Sequence, residues 1–79
     1  MTVLYFAWLR EAVGLGEERV SPPAGIATAG ELADWLATRH AGFGTRDRLR
    51  VAVDQAMADW STDIRSAREI AFFPPVTGG

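Results

Sequence analysis

The two ends of the chain carry its most apolar short runs, TVLYFAW at 2–8 and EIAFF at 69–73. Both are rich in aromatic and β-branched residues, which suit a pleated strand. Neither shows the clean wet–dry alternation of a strand with one solvated face, so both are expected near the middle of a sheet, covered on both sides or nearly so. If the first and last segments lie side by side there, everything between them must fold around that pair. The constraint is severe because 79 residues make one domain, expected to span 1–79 with an extended tail at 74–79. Such a chain buries only about 60–65% of the surface it exposes when unfolded. It contains no cysteine, so no disulfide or thiolate-held metal can reinforce the core.

The intervening pattern supplies one main helix. Thr28 and Glu31 have the spacing of a capping box, in which each side chain satisfies a backbone N–H left over at the helix start. Ala29, Leu32, Ala33 and Leu36 then follow at helical spacing as one apolar stripe, with Trp35 on its border. The helix is expected over 28–41, ended by AGFG with Gly42 as its C-terminal cap. LREAVG at 9–14 suits a one- to two-turn helix closing at Gly14, and EERVSP at 17–22 a short strand halted by Pro22 and Pro23. RLRVAV at 48–53, a turn at Asp54-Gln55 and AMADW at 56–60 supply two more strands. The order β, short α, β, α, β, β, β predicts an α+β protein, a mixed sheet packed on one main helix.

Several functions are excluded by what is missing. Eight basic against ten acidic residues give a net charge of −2, interspersed rather than gathered into the basic face of a nucleic-acid binder. No apolar run approaches the roughly 20 residues needed to cross a bilayer, and the N-terminus lacks the marks of a leader, so a cytoplasmic location is expected. The single histidine, His40, ends the main helix, where a cation suits the helix dipole. GLGEE at 14–18 lacks the strand–loop–helix setting of a phosphate-binding glycine loop. The carboxylates stand beside arginines at surface-like spacings. No self-contained active site and no metal or cofactor site can be built from these residues. All eight basic residues are arginine; the absence of lysine fits either a GC-rich genome or the avoidance of amines near an activated carboxyl group.

What remains is the tail, AFFPPVTGG. Pro74 and Pro75 fix φ at two positions and resist helix or turn, so the tail should leave the sheet extended. From Phe73 to Gly79 it can reach roughly 20 Å. Gly78 and Gly79 have no side chains, which lets a terminal carboxylate thread a narrow channel, and glycine cannot racemise when its carboxyl group is activated. These are the demands on a C-terminus that becomes an acyl adenylate inside another protein.

AFFPPVTGG closely resembles the tail of the small-subunit family of molybdopterin synthase, ubiquitin-like sulfur carriers of the β-grasp fold. VLYFAWLREAVG resembles that family's first strand and short helix, and VAVDQ its third strand and turn. SAREI at 66–70 departs from the Gly-Asp turn usual there. The resemblance implies that an ATP-dependent activating enzyme adenylates Gly79 and that a persulfide sulfur replaces AMP to give a thiocarboxylate. The loaded tail, Pro74, Pro75, Val76, Thr77 and the two glycines, then enters the large subunit, expected in a heterotetramer. There it donates sulfur to cyclic pyranopterin monophosphate. In this reading the chain binds no cofactor, ATP being used by the activating enzyme, and acts only as a non-autonomous part of a sulfurtransferase. The positions matching Phe6, Arg10 and Phe73 lie at the family's partner surface. Strand periodicity bears on Phe73 independently: if Ile70 and Phe72 face the helix, Phe73 faces away, beside the tail. For Phe6 a core position stays open. A sulfur carrier for another product (thiamine, thiolated tRNA or cysteine) and a ubiquitin-like modifier joined to lysines of other proteins are the rival functions.

Overall fold

The computed structural model describes residues 1–75 of the chain. Its elements are β1 (Thr2–Tyr5), α1 (Trp8–Val13), β2 (Glu17–Arg19), α2 (Ala29–Arg39), two 3-10 turns (Ala41–Phe43 and Arg46–Arg48), β3 (Arg50–Val53), β4 (Ala56–Ala58) and β5 (Glu69–Phe73). The five strands form one sheet in the order β2-β1-β5-β3-β4. β1 and β5, the expected central neighbours, run parallel with Val3 opposite Ile70 and Tyr5 opposite Phe72. The other three ladders are antiparallel, so the sheet is mixed, as the element order predicts.

Burial follows the period of two. Val3 and Tyr5 of β1, Val51 of β3, and Ile70 and Phe72 of β5 are all 0–1% exposed and face α2. The α2 stripe of Ala29, Leu32, Ala33 and Leu36 is fully buried against them. At the helix start the capping box is complete. Thr28 Oγ1 accepts from the Glu31 N–H at 3.2 Å, and Glu31 Oε1 accepts from the Thr28 N–H at 3.0 Å.

Phe72 lies at the centre of the core. Its ring stacks on Tyr5 at 6.5 Å and on Trp60 at 6.2 Å, and meets Phe43 edge-on at 5.3 Å. The three neighbours come from β1, from the turn after α2 and from the loop after β4, so one side chain ties distant segments together.

Three local expectations are corrected. The first strand ends at Tyr5 rather than at position 8, and it is not buried on both faces, because Thr2 and Leu4 are only half-buried. Ala7 takes φ 56 and ψ −137, which turns the chain so that α1 begins at Trp8 and Leu9 enters the core. Gly42 does not cap α2. The helix closes at His40, whose extended backbone still donates its N–H to Leu36 O at 2.9 Å. Gly42 lies in the following 3-10 turn, where a Cβ would stand 2.0 Å from the Ala12 carbonyl oxygen. Glycine is needed there for the close approach of that turn to α1, not for a left-handed cap. Gly14, by contrast, does cap α1 in the left-handed region, at φ 88.

The segment that departs from the family's Gly-Asp turn is held from across the β3–β4 hairpin. Asp54 and Gln55, at φ 49 and φ 71, make the hairpin turn. Asp54 Oδ1 accepts from the N–H groups of Arg68 and Glu69 at 2.9 and 3.0 Å, and the Asp54 N–H donates to Glu69 O at 2.8 Å. The start of β5 is thus fixed by a side chain from the neighbouring hairpin.

Burial of Phe72 and partial burial of Phe73 lead to different outcomes on truncation. Phe72→Ala is expected to lower unfolding free energy by about 3–5 kcal/mol, and Phe73→Ala by about 1–2 kcal/mol at most. Urea denaturation of both variants measures this; a larger loss for Phe73→Ala would mean that the strand phase is reversed.

Candidate functional site

The site is the end of the sheet from which the tail departs. β5 lies between β1 and β3, so its backbone is paired on both sides until Pro74, which has no N–H to offer a further rung. Phe73 follows Phe72 by one residue and therefore points to the face opposite α2, where it is half-buried. Its Cα partner across the ladder is Arg50. Pro74 is half-buried and Pro75 exposed.

Beside them Phe6 continues the β1–β5 pairing by one bond, donating its N–H to Phe72 O at 3.1 Å. Its side chain is 48% exposed, which decides between the two readings in favour of the surface. Ala7 makes that exposure possible. Its backbone lies where L residues are rare, at a cost of about 1–3 kcal/mol, and it sets Phe6 and Trp8 outside the core while Leu9 goes in. Trp8 is 45% exposed. Arg10, on α1, is exposed, with its guanidinium against Gly16: a Cβ on Gly16 would lie 3.2 Å from Arg10 Nε.

Phe6, Arg10, Phe73, Pro74 and Pro75 are therefore at one end of the molecule or on elements adjoining it. Val76, Thr77, Gly78 and Gly79 lie outside the described residues. Sequence reasoning missed Trp8, which it placed in a strand. It also missed Met57, 68% exposed on the row Leu4–Ala71–Ala52–Met57 that crosses the open sheet face. Met57 was findable, since it alternates with inward-facing Ala58. Trp8 was not, because nothing in the local pattern announces a positive φ at an alanine.

Under the site lies a polar cluster. The Tyr5 hydroxyl donates to Glu18 Oε1 at 2.7 Å, and His40 Nε2 meets the same oxygen at 2.7 Å. His40, expected simply to face the helix dipole, thus closes a bond from the end of α2 to β2. Burial opposes ionisation of Glu18, but the bonds from Tyr5 and His40 and the nearby charges of His40 and Arg39 outweigh it and hold the carboxyl below its ordinary value. Burial first, and then the Glu18 carboxylate, push the Tyr5 hydroxyl above its ordinary range. It is therefore a permanent donor, not a base. Among the described residues no group of three or more His, Cys, Asp or Glu side chains could hold a metal, and no helix is long and apolar enough to cross a membrane.

A helix packed on one face of a mixed five-stranded sheet, with the last strand central, defines a ubiquitin-like β-grasp protein. The model of the ThiS family matches residues 3–79, and the chain belongs to that family. It is 33% identical over 82 residues to the molybdopterin synthase sulfur carrier subunit of Haemophilus influenzae, covering 100% of this chain and 99% of that one. It is 34% identical over 80 residues to the molybdopterin synthase sulfur carrier subunit of Escherichia coli K12, covering 98% and 96%. Among solved structures it is similar to small archaeal modifier protein 1 of Haloferax volcanii, with 28% identity, 95% of each chain covered and a TM-score of 0.78.

The Glu18 carboxyl is depressed in the folded state, so it contributes stability above its unfolded value, and that contribution is lost as pH falls through and below about 4.5. The unaltered chain should therefore exceed Glu18→Gln in unfolding free energy at neutral pH, with the gap closing as the solution is acidified below that value. Urea titrations across pH check this; a gap independent of pH would contradict it.

Proposed function

We propose that this chain is a sulfur carrier of molybdenum cofactor biosynthesis, acting as the small subunit of molybdopterin synthase. The observation that carries this reading is similarity along the whole chain to sulfur carrier subunits of that enzyme. The fold is compatible with it: the central strand β5 ends at Pro74 and Pro75, four residues before the terminal glycine.

In this reading the Gly79 carboxylate attacks the α-phosphorus of ATP in an activating enzyme, releasing pyrophosphate; the terminal sulfur of a persulfide then displaces AMP to form an acyl disulfide, and a second thiol cleaves its S–S bond, releasing the thiocarboxylate and leaving the sulfur donor as a disulfide. The large subunit receives the loaded tail in a heterotetramer and uses it to sulfurate cyclic pyranopterin monophosphate. Gly78 gives access to the reacting carbonyl. Pro74 to Thr77 line the partner's channel, and Phe6, Arg10 and Phe73 dock at its entrance. The acid–base groups that act on the pterin belong to the large subunit, and the isolated chain turns over nothing.

A second reading has its own support in the likeness to small archaeal modifier protein 1. There Gly79 would end in an isopeptide bond to a lysine of another protein. Intact mass of the chain recovered from its own cells separates the two, since a sulfur carrier shows one terminal oxygen replaced by sulfur and a modifier appears as branched conjugates. Carriers for thiamine, thiolated tRNA or cysteine share the thiocarboxylate and are separated by which large subunit accepts it.

Deleting Gly79, or extending the chain beyond it with a tag, is expected to abolish thiocarboxylate formation and sulfur transfer without lowering the melting temperature. Full activity of a tagged chain in a reconstituted synthase assay would sink the proposal. Phe73→Ala should weaken binding to the large subunit by about thirtyfold, as truncated aromatic anchors do, in a calorimetric titration; unchanged affinity would remove Phe73 from the interface.

A further inference from the structure

An activated carboxyl group persists only where nothing beside it can attack. An acyl adenylate at Gly79 would be lost to any free amine or thiolate of the same chain. A C–N or C–S bond would form at the Gly79 carbonyl, the bond to AMP would break, and the nucleophile's proton would pass to solvent. Lysine and cysteine are the side chains best able to do this, and the chain has neither, its eight basic residues all being arginine. A guanidinium keeps its charge at any pH a protein withstands and offers only donors, so it cannot take their place.

The remaining nucleophiles are each engaged by the fold. The Met1 amino group donates to Val20 O at 3.0 Å. It lies beside the start of β5, since the Thr2 N–H donates to Arg68 O at 2.9 Å, and about 16 Å of strand separates Arg68 from Phe73. The Tyr5 hydroxyl donates to Glu18 Oε1 at 2.7 Å, and His40 Nε2 meets the same oxygen at 2.7 Å. Tyr5 is 1% exposed and the His40 side chain 17%. Serine and threonine hydroxyls need an adjacent base before they attack, and the one imidazole is committed to Glu18. Where an amine would do most harm, the chain has arginine. Arg50 is the ladder partner of Phe73, and Arg48 shares a cleft with Pro74 and Pro75; both are exposed. Six residues follow Phe73, a contour of roughly 20 Å, long enough for their end to meet a side chain at either position.

We propose that this chain is inert toward its own activated terminus and can pass the Gly79 acyl group only to a nucleophile on another molecule. Three features combine to give this: no lysine or cysteine, arginine at the root of the tail, and an amino group, imidazole and phenol held in hydrogen bonds. The proposal rests on the reading of Gly79 as an activated carboxyl group. It makes the chain a donor alone. A second copy presents no side-chain amine, so copies cannot be strung together through their side chains.

The test is intact mass, followed over time, of the full chain carrying a Gly79 thioester of mercaptoethanesulfonate released from an intein fusion. The thioester stands in for the adenylate as an activated acyl group. Arg48→Lys and Arg50→Lys chains are made in the same way, and thermal melts establish that both are folded. The buffer is free of amines and held at about pH 9, where roughly 4% of an ordinary lysine is free amine. The unaltered chain is expected to give only the free acid. At least one of the two variants should lose its thioester about fivefold faster or more, giving an internal amide one water lighter than the acid, with fragmentation placing the new bond at the introduced lysine. An internal amide or a covalent dimer from the unaltered chain would overturn the proposal. So would loss in both variants at the unaltered rate and without amide, because arginine would then protect nothing. No activating enzyme or large subunit takes part, so either failure leaves the sulfur-carrier reading standing. Absence of a thiocarboxylate on the chain recovered from its own cells would overturn that reading, and the thioester measurement would still decide this one.

Discussion

The packing of Phe72 against Tyr5, Phe43 and Trp60 is the contact on which the remaining geometry depends. Aromatic pairs in offset or edge-on contact contribute about 0.5–1.5 kcal/mol each beyond the area they bury. Here three such pairs join β1, β5 and two connecting segments through one ring. Their larger consequence is directional. A strand has only two faces, so fixing Phe72 inward fixes Phe73 outward. It also fixes which way the chain faces when Pro74 ends the ladder.

That coupling suits the proposal that the reactive atom belongs to Gly79. A sulfur carrier needs a rigid body for partners to grip and a terminus that reaches into them without unfolding anything. Placing the last strand between β1 and β3 gives the tail the best-anchored origin in the sheet. The neighbouring turn at Ala7 retains strain to keep Phe6 and Trp8 outside, and backbone strain that persists in a folded protein is commonly found at functional surfaces.

The cluster of Tyr5, Glu18 and His40 has a supporting role. β2 is an edge strand of three residues, too short to hold itself by ladder bonds alone. Glu18 ties it inward to β1 and to the end of α2 through one shared oxygen. Because the carboxylate is bonded by both partners, its partial burial leaves no buried side-chain polar atom unsatisfied among the described residues. Tyr5, which stacks on Phe72, therefore takes part in both the aromatic and the polar half of the core.

Much of this was legible in the residues themselves. The capping box at Thr28 and Glu31, the stripe from Ala29 to Leu36, the turn at Asp54-Gln55 and the stop at Pro74 are local signals, read within a few residues. The phase of EIAFF placed Phe72 and Phe73 on opposite faces before any partner strand was known. Tertiary structure decided what depends on approach between distant segments. Gly42 looks like a cap in sequence, but it is glycine because α1 comes within contact of its turn. His40 looks like a helix-end cation, yet it answers a carboxylate from β2. Phe6 and Trp8 look like strand residues, and they are outside because Leu9 must reach the core and Ala7 yields its backbone to allow it. Propensity and periodicity report what each segment prefers by itself; they carry no information about which preference gives way when two segments claim the same space.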